Sequence, residues 1–168
     1  MTLDQIIEEF RVCNYVNFDY FYNETKKNVF FSIAAIIDDK DIIDDLMQDT
    51  YIRFLENIDK YKTGTSINAY LSTIAHNISI NYYNREKRLI HNDEVIEVVK
   101  DREKDPYDEI EAIELLKDLE PLEKQVVVLH VLNDLKFREI ADIIQKPLGT
   151  VLWIYNKAIA KLKKKGRW

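Results

Sequence analysis

Three glycines, three prolines and one cysteine are all that this chain of 168 residues holds of the residues that bend, break or cross-link a backbone. So few turn-formers leave little room for the tight hairpins of an all-β protein, and the apolar residues recur at helical rather than alternating spacing. An all-α fold is expected. The lone Cys13 excludes an internal disulfide, and the few histidines form no set with it at metal-ligand spacing, so neither metal nor cofactor is expected. No apolar run approaches the roughly 18 residues of a membrane span, which argues against membrane insertion. The N-terminus has neither a basic start nor a signal-type apolar segment, which makes the cytoplasm the expected compartment.

What is present is uneven. The net charge of −6 divides into −6 over residues 1–84, −5 over 85–118 and +5 over 119–168. Residues 1–90 read as an aromatic-rich helical domain, with Tyr15, Phe18, Tyr20, Phe21, Tyr22 and Phe30 as packing residues. Residues 91–106 are charged and end at Pro106, the pattern of a linker. Residues 107–168 form a second helical domain, in which Asp108 to Leu119 is amphipathic and Pro121 opens the next helix at a position proline tolerates.

Near the C-terminus, Ile140, Ile143 and Ile144 keep helical spacing, Pro147 and Gly149 interrupt it, and Val151, Ile154, Tyr155, Ala158 and Leu162 resume it. Thr150 or its predecessors are placed to cap the second helix. This is helix-turn-helix grammar, and such a second helix enters the DNA major groove. Lysines from Lys161 to Lys165 suit phosphate contact, and equally a helix end favoured by its dipole.

Upstream, Asp41 to Leu55 is two-faced. Ile43, Leu46, Met47, Thr50 and Phe54 share one side, whereas Asp45, Gln48, Asp49 and Ile52 share another. That acidic strip suits arginines of a partner protein; taken alone, it also fits a solvated helix face. A polar loop, residues 57–66, carries Asn57, Lys60, Tyr61 and Lys62. In the helix after it, Leu71, Ile74, Ala75 and Ile78 make a buried side. Asn68 lies near its start, and Thr73, Asn77, Asn81, Asn84, Arg85 and Arg88 avoid the buried side. Amides and guanidinium groups on a loop and helix suit melted or single-stranded DNA. His76 stands alone, as a hydrogen-bonding or phosphate-facing residue rather than a metal ligand.

Together these segments resemble the bacterial sigma factors of the sigma-70 family, extracytoplasmic-function type. Asp45-Leu46-Met47-Gln48-Asp49-Thr50-Tyr51 matches the family form D-L-x-Q-[DE]-[TV]-F. Ala69-Tyr70-Leu71-Ser72-Thr73-Ile74-Ala75-His76-Asn77 matches A-[WY]-L-x-x-I-A-x-N. Leu119 through Lys124 and Val126 to Leu129, then Phe137 to Val151, match the forms that follow in the same order. The resemblance implies a dissociable subunit that directs core RNA polymerase to promoters and aids their opening, and that catalyses nothing itself. It implies that Asp45, Gln48, Asp49 and Ile52 dock on the polymerase. Loop 57–66 and helix 67–85 would hold the −10 element, and helix 150–163 would enter the −35 element. It further implies a possible anti-sigma factor, with a monomer as the expected free form.

This chain departs from the family where many members have Lys-Ser-Arg after Gly-Thr-Val; here Leu152-Trp153-Ile154 stand instead. Leu152 and Trp153 would meet thymine methyls, a partner or the protein's own core, leaving Lys136, Arg138, Thr150, Asn156, Lys157 and Lys161 as the polar candidates for −35 DNA. Two other readings stay open: a stand-alone helix-turn-helix regulator, which leaves the Asp45 strip without a purpose, and a degenerate sigma-like protein that binds polymerase but not promoter DNA. An enzyme would need Asp38, Asp39, Asp41, Asp44, Asp45 and Asp49 to hold a metal, without the histidines or glutamate pairs such sites use.

Overall fold

Local side-chain chemistry sets where the helices begin. In the computed structural model, which describes residues 1–90 and 109–166, Thr2 and Gln5 form a reciprocal capping box. The Thr2 hydroxyl accepts from the Gln5 amide at 3.2 Å, and the Gln5 side chain accepts from the Thr2 amide at 2.8 Å. This starts α1 (Leu3–Arg11), and α2 follows over Phe18–Ala34. Asp39 caps α3 (Lys40–Glu56) by accepting from the Asp41 amide at 3.0 Å. A short 3₁₀ turn (Ile58–Lys60) and the polar loop then lead into α4 (Ile67–Ile90), five residues longer than the expected 67–85 helix. The expected linker, 91–106, lies outside the described residues.

The amphipathic stretch expected up to Leu119 forms α5 (Glu109–Glu114) and then turns, through which Leu116 and Leu119 still reach the core. Pro121 is the first residue of α6 (Pro121–Val127), as expected, and the chain widens into a π-helical turn over Val128–Leu132. Its closing bond runs from the Asn133 amide to the Val128 carbonyl at 3.1 Å, and Asp134 then takes a left-handed φ of 55°. The helix-turn-helix is α7 (Phe137–Ile144) and α8 (Leu148–Lys164). Its break lies earlier than the sequence suggests. Gln145 adopts the left-handed conformation (φ 53°) and Pro147 precedes the first turn, so Gly149 and Thr150 are already helical and Thr150 caps nothing.

Most of the aromatic residues pack, as their setting predicts. Phe21 is fully buried, stacked on Phe54 at 5.3 Å and edge-on to Phe10 and Tyr51. Tyr15 and Tyr20 are the exceptions, each about half exposed. A second core inside the C-terminal unit gathers Val126, Leu129, Leu135, Ile140, Ile143, Val151 and Ile154.

A third cluster joins the two units. Phe31 and Ala35, at the end of α2, pack with Leu116, Leu119, Val127, Val128, Ala158 and Leu162. Beside it runs a buried polar seam. The Asn133 amide donates to the Asn28 carbonyl at 3.1 Å and to the Ser32 hydroxyl at 2.9 Å; the Asn28 amide donates to the Asn68 carbonyl at 2.9 Å and to Ser72 at 3.0 Å. His76 meets Gln125 at 3.1 Å across the same boundary, which makes it a hydrogen-bonding residue of the seam, and Lys124 lies 3.8 Å from Asp38.

Removing the seam's central donor takes its hydrogen bonds to the Asn28 carbonyl and the Ser32 hydroxyl out of the boundary. Asn133→Ala is therefore expected to lower stability by about 1–3 kcal/mol in urea unfolding, the worth of two lost buried hydrogen bonds; an unchanged midpoint would show that the seam stabilises nothing. Burial pushes the His76 imidazole below its ordinary value, against the opposing pull of Gln125 and Asn77. The fold thus prefers the neutral ring. That preference stabilises fully above the ordinary value of 6.5 and is lost as pH falls through the lower folded-state value. Unfolding midpoints followed downward from neutral pH should fall more steeply in wild type than in His76→Gln, and parallel curves would acquit the imidazole.

Candidate nucleic-acid and partner interfaces

Loop 57–66 is held from below by α1. Asp4 accepts from the Tyr61 hydroxyl at 3.0 Å and from the Gly64 amide at 2.9 Å; Glu8 accepts from Thr63 at 2.7 Å, and Arg11 donates to the Tyr61 carbonyl. Gly64 sits at φ 88°, a conformation that favours glycine, which lets its amide turn toward Asp4. Tyr61 was expected to face DNA, but its side chain is only 2% exposed. Burial and the Asp4 carboxylate push its phenol up to about 12, and its ring packs against Tyr70 at 5.3 Å. It anchors the loop instead of presenting a ring, because Asp4 and Tyr70 together close over it.

Above that anchor opens a cleft of about 240 Å³ lined by Arg53, Asn57, Lys60, Tyr70, Ile74, Asn77 and Ile78. Three of the expected residues, Asn57, Lys60 and Asn77, meet there. Arg53 and Tyr70 join them without having been singled out, although Arg53 stands one helical turn before Asn57 and Tyr70 belongs to the matched motif. Amides here offer both donors and acceptors to a base edge, and Arg53 and Lys60 offer charge to a phosphate. Lys62, Asn81, Arg85 and Arg88 are exposed farther along the loop and helix. Asn68 and Thr73 are half-buried; Asn68 gives its carbonyl to the seam, and Thr73 bonds back to the Ala69 carbonyl at 2.8 Å.

On α3, Asp45, Gln48, Asp49 and Ile52 form one exposed strip, as their spacing predicts. It borders a second cleft of about 440 Å³, whose walls are Phe18, Tyr22, Asp44, Met47, Gln48, Tyr51, Ile52 and Leu55. An apolar slot edged by carboxylates suits a helix that carries both aliphatic and basic side chains.

On the helix-turn-helix, Lys136 and Arg138 are exposed at the start of α7, and Leu152, Trp153, Asn156 and Lys157 are exposed along α8, with Thr150 half-buried. Lys161 is differently placed. Its ammonium lies 2.9 Å from both oxygens of Glu123, a carboxylate whose side chain is only 4% exposed. Burial alone would raise the Glu123 carboxyl, but the Lys161 and Glu120 hydrogen bonds outweigh it and hold the group below its ordinary value. Lys157 also reaches Glu123, at 3.5 Å.

Among the described residues, no helix is long and apolar enough to cross a membrane. Comparison with known proteins places both units in one family. Residues 21–89 match sigma-70 region 2, and residues 115–164 match sigma-70 region 4. The chain is 30% identical over 134 residues to RNA polymerase sigma factor YlaC of Bacillus subtilis, covering 71% of this chain and 75% of that protein. It is 24% identical over 127 residues to RNA polymerase sigma factor SigV of the same organism, covering 74% and 76%. Its fold resembles the sigma factor RpoE of Bartonella quintana, solved with the anti-sigma factor NepR (TM-score 0.69, 17% identity, 88% of this chain and 95% of that one). It also resembles CnrH, solved with the cytosolic domain of CnrY (TM-score 0.68, 18% identity, 97% and 96%).

The α1 clamp makes a local prediction. In Asp4→Ala, the Gly64 amide should exchange with solvent about tenfold faster, the effect of roughly 1.4 kcal/mol of lost hydrogen bonding. Amides at the centre of α4 should keep their rates. Unchanged exchange at Gly64 would show that the loop holds its shape without α1.

Proposed function

Because the chain belongs to the sigma-70 family of RNA polymerase sigma factors, extracytoplasmic-function type, it serves promoter-specific transcription initiation, and we propose which of its surfaces do so. The α3 strip of Asp45, Gln48, Asp49 and Ile52 docks on core RNA polymerase, with the neighbouring apolar slot taking an aliphatic side chain of the same partner. The cleft between the loop and α4 receives an unstacked base of the −10 element. Asn57 and Asn77 meet its edges, while Arg53, Lys60, Arg85 and Arg88 follow the backbone. Helix α8 enters the major groove of the −35 element, with Lys136 and Arg138 on phosphates. The protein adds no catalytic group of its own; RNA synthesis belongs to the polymerase, in the cytoplasm. By analogy with the neighbour solved with an anti-sigma factor, a protein inhibitor holds it inactive.

The observation that carries this reading is the disposition of α4. Asn77, Asn81 and Arg85 face solvent, while Ser72 and His76 face the second unit and Leu71, Ala75 and Ile78 face the core. The seam and the DNA face therefore use different sides of one helix.

Run-off transcription with core polymerase and genomic templates tests the assignment. Wild type should give defined start sites. Asp45→Ala/Gln48→Ala should lose them together with core binding, whereas Asn77→Ala should keep core binding and lose about five- to 150-fold in initiation, as expected when a base-edge contact worth about 1–3 kcal/mol goes. Specific starts that survive the α3 double substitution would refute the docking assignment.

A further inference from the structure

The outward face of α8 is apolar where a DNA-reading helix ordinarily carries hydrogen-bonding groups. Leu148, Leu152 and Trp153 are 36%, 38% and 63% exposed, and Gly149 shares their face. Their own core does not claim them: the inward face of α8 is complete with Val151, Ile154, Ala158 and Leu162, all buried. Through the first two turns the exposed face offers no amide, carboxylate or guanidinium, so the bidentate contacts that identify guanine or adenine are not available there. The side-chain donors there are the indole N–H of Trp153 and the hydroxyl of half-buried Thr150. The Lys157 ammonium, 5.2 Å from the Trp153 ring centre, steadies the ring.

Charge indicates what covers this strip. Exposed cations flank it on the same motif: Lys136 and Arg138 at the start of α7, Lys146 in the turn, Lys157 on α8 itself. An apolar strip bordered by cations fits a polyanion that presents apolar groups between its phosphates, and the thymine 5-methyl in the major groove is such a group.

We propose that Leu152 and Trp153 are specificity-determining residues that select A·T pairs in the upstream promoter element by apolar contact with thymine methyls. The inference rests on the reading of α8 as the helix that enters duplex DNA.

The test uses holoenzyme assembled from core polymerase and the full chain, with duplex templates randomised over the upstream element. Selected templates should carry A·T pairs opposite α8. Replacing thymine by deoxyuridine at those positions, which removes only the methyl, should weaken promoter binding about fourfold per methyl, the worth of one buried CH₂-sized group. Leu152→Ala/Trp153→Ala, both at exposed positions, should bind more weakly yet treat thymine and uracil alike, while Trp153→Phe should keep most of the discrimination. Selection of G·C pairs opposite α8, or no methyl effect in wild type that initiates specifically, would overturn the inference and leave the sigma assignment standing. Equal transcription by wild type and the double variant would overturn it too, and would hand the strip to a protein partner. A holoenzyme that initiates at no defined site would instead remove the reading of α8 on which the inference depends.

Discussion

Ser72 is the point on which the two halves of the molecule meet. It is fully buried on α4, and its hydroxyl lies within 3.0 Å of both the Asn28 amide and Ser32, and 3.5 Å from the Asn133 amide of the C-terminal unit. A junction built this way differs from a hydrophobic one. Its groups can all exchange partners with water when the halves part, so its net worth is small although its geometry is specific. The Oδ1 atoms of Asn28 and Asn133 are buried with no hydrogen-bond partner among the described residues, which lowers that worth further. The apolar cluster of Phe31 and Ala35 beside it supplies the adhesion, and the seam supplies the register.

That register depends on local features far apart in sequence. Asn133 reaches the seam because the chain leaves α-helical geometry at Val128, takes the wider π turn and then reverses at Asp134. On the other side, α2 carries Asn28 and Ser32 one turn apart, so both lie on one stripe, while Phe31 and Ala35 form the adjoining stripe. Helix α4 is asked for three faces, and at about 100° per residue it can supply them: a core face, a seam face and an outward amide face.

Periodicity made most of the architecture legible. The buried side of α3 and its exposed acidic strip follow from spacing alone, and Pro121 marks its helix start as proline chemistry requires. What stayed hidden depends on partners distant in sequence. An aromatic in a polar loop reads as a surface residue until Asp4, 57 positions earlier, is seen to accept a hydrogen bond from its hydroxyl. His76 reads as isolated because Gln125 is 49 positions away. Gly149 reads as a breaker because the left-handed residue that ends α7 is Gln145, a type that seldom takes that conformation. Nothing in the pattern of α2 or α6 alone says that their apolar ends share one cluster.

The same distinction governs the charge of the C-terminal unit. Its excess of positive charge invites the view that every lysine there faces phosphate, yet four lysines are spoken for. Lys124 lies against Asp38, Lys157 and Lys161 against Glu123, and Lys165 lies 3.1 Å from Asp118. The Glu123 pair does structural work: a carboxylate buried in α6 needs a cation, and Lys161 on α8 supplies it, tying α8 to the helix that joins the N-terminal unit. The exposed cations of the helix-turn-helix that no carboxylate holds among the described residues are Lys136, Arg138 and Lys146 around the turn, and Lys163 and Lys164 at the end of α8, with Lys157 exposed but shared between Glu123 and the Trp153 ring. They bracket the apolar strip at both ends of the motif, and the cation nearest its middle, Lys157, lies over the Trp153 ring. Such an arrangement grips a backbone on either side of a groove and leaves the choice of bases to side chains that carry no charge.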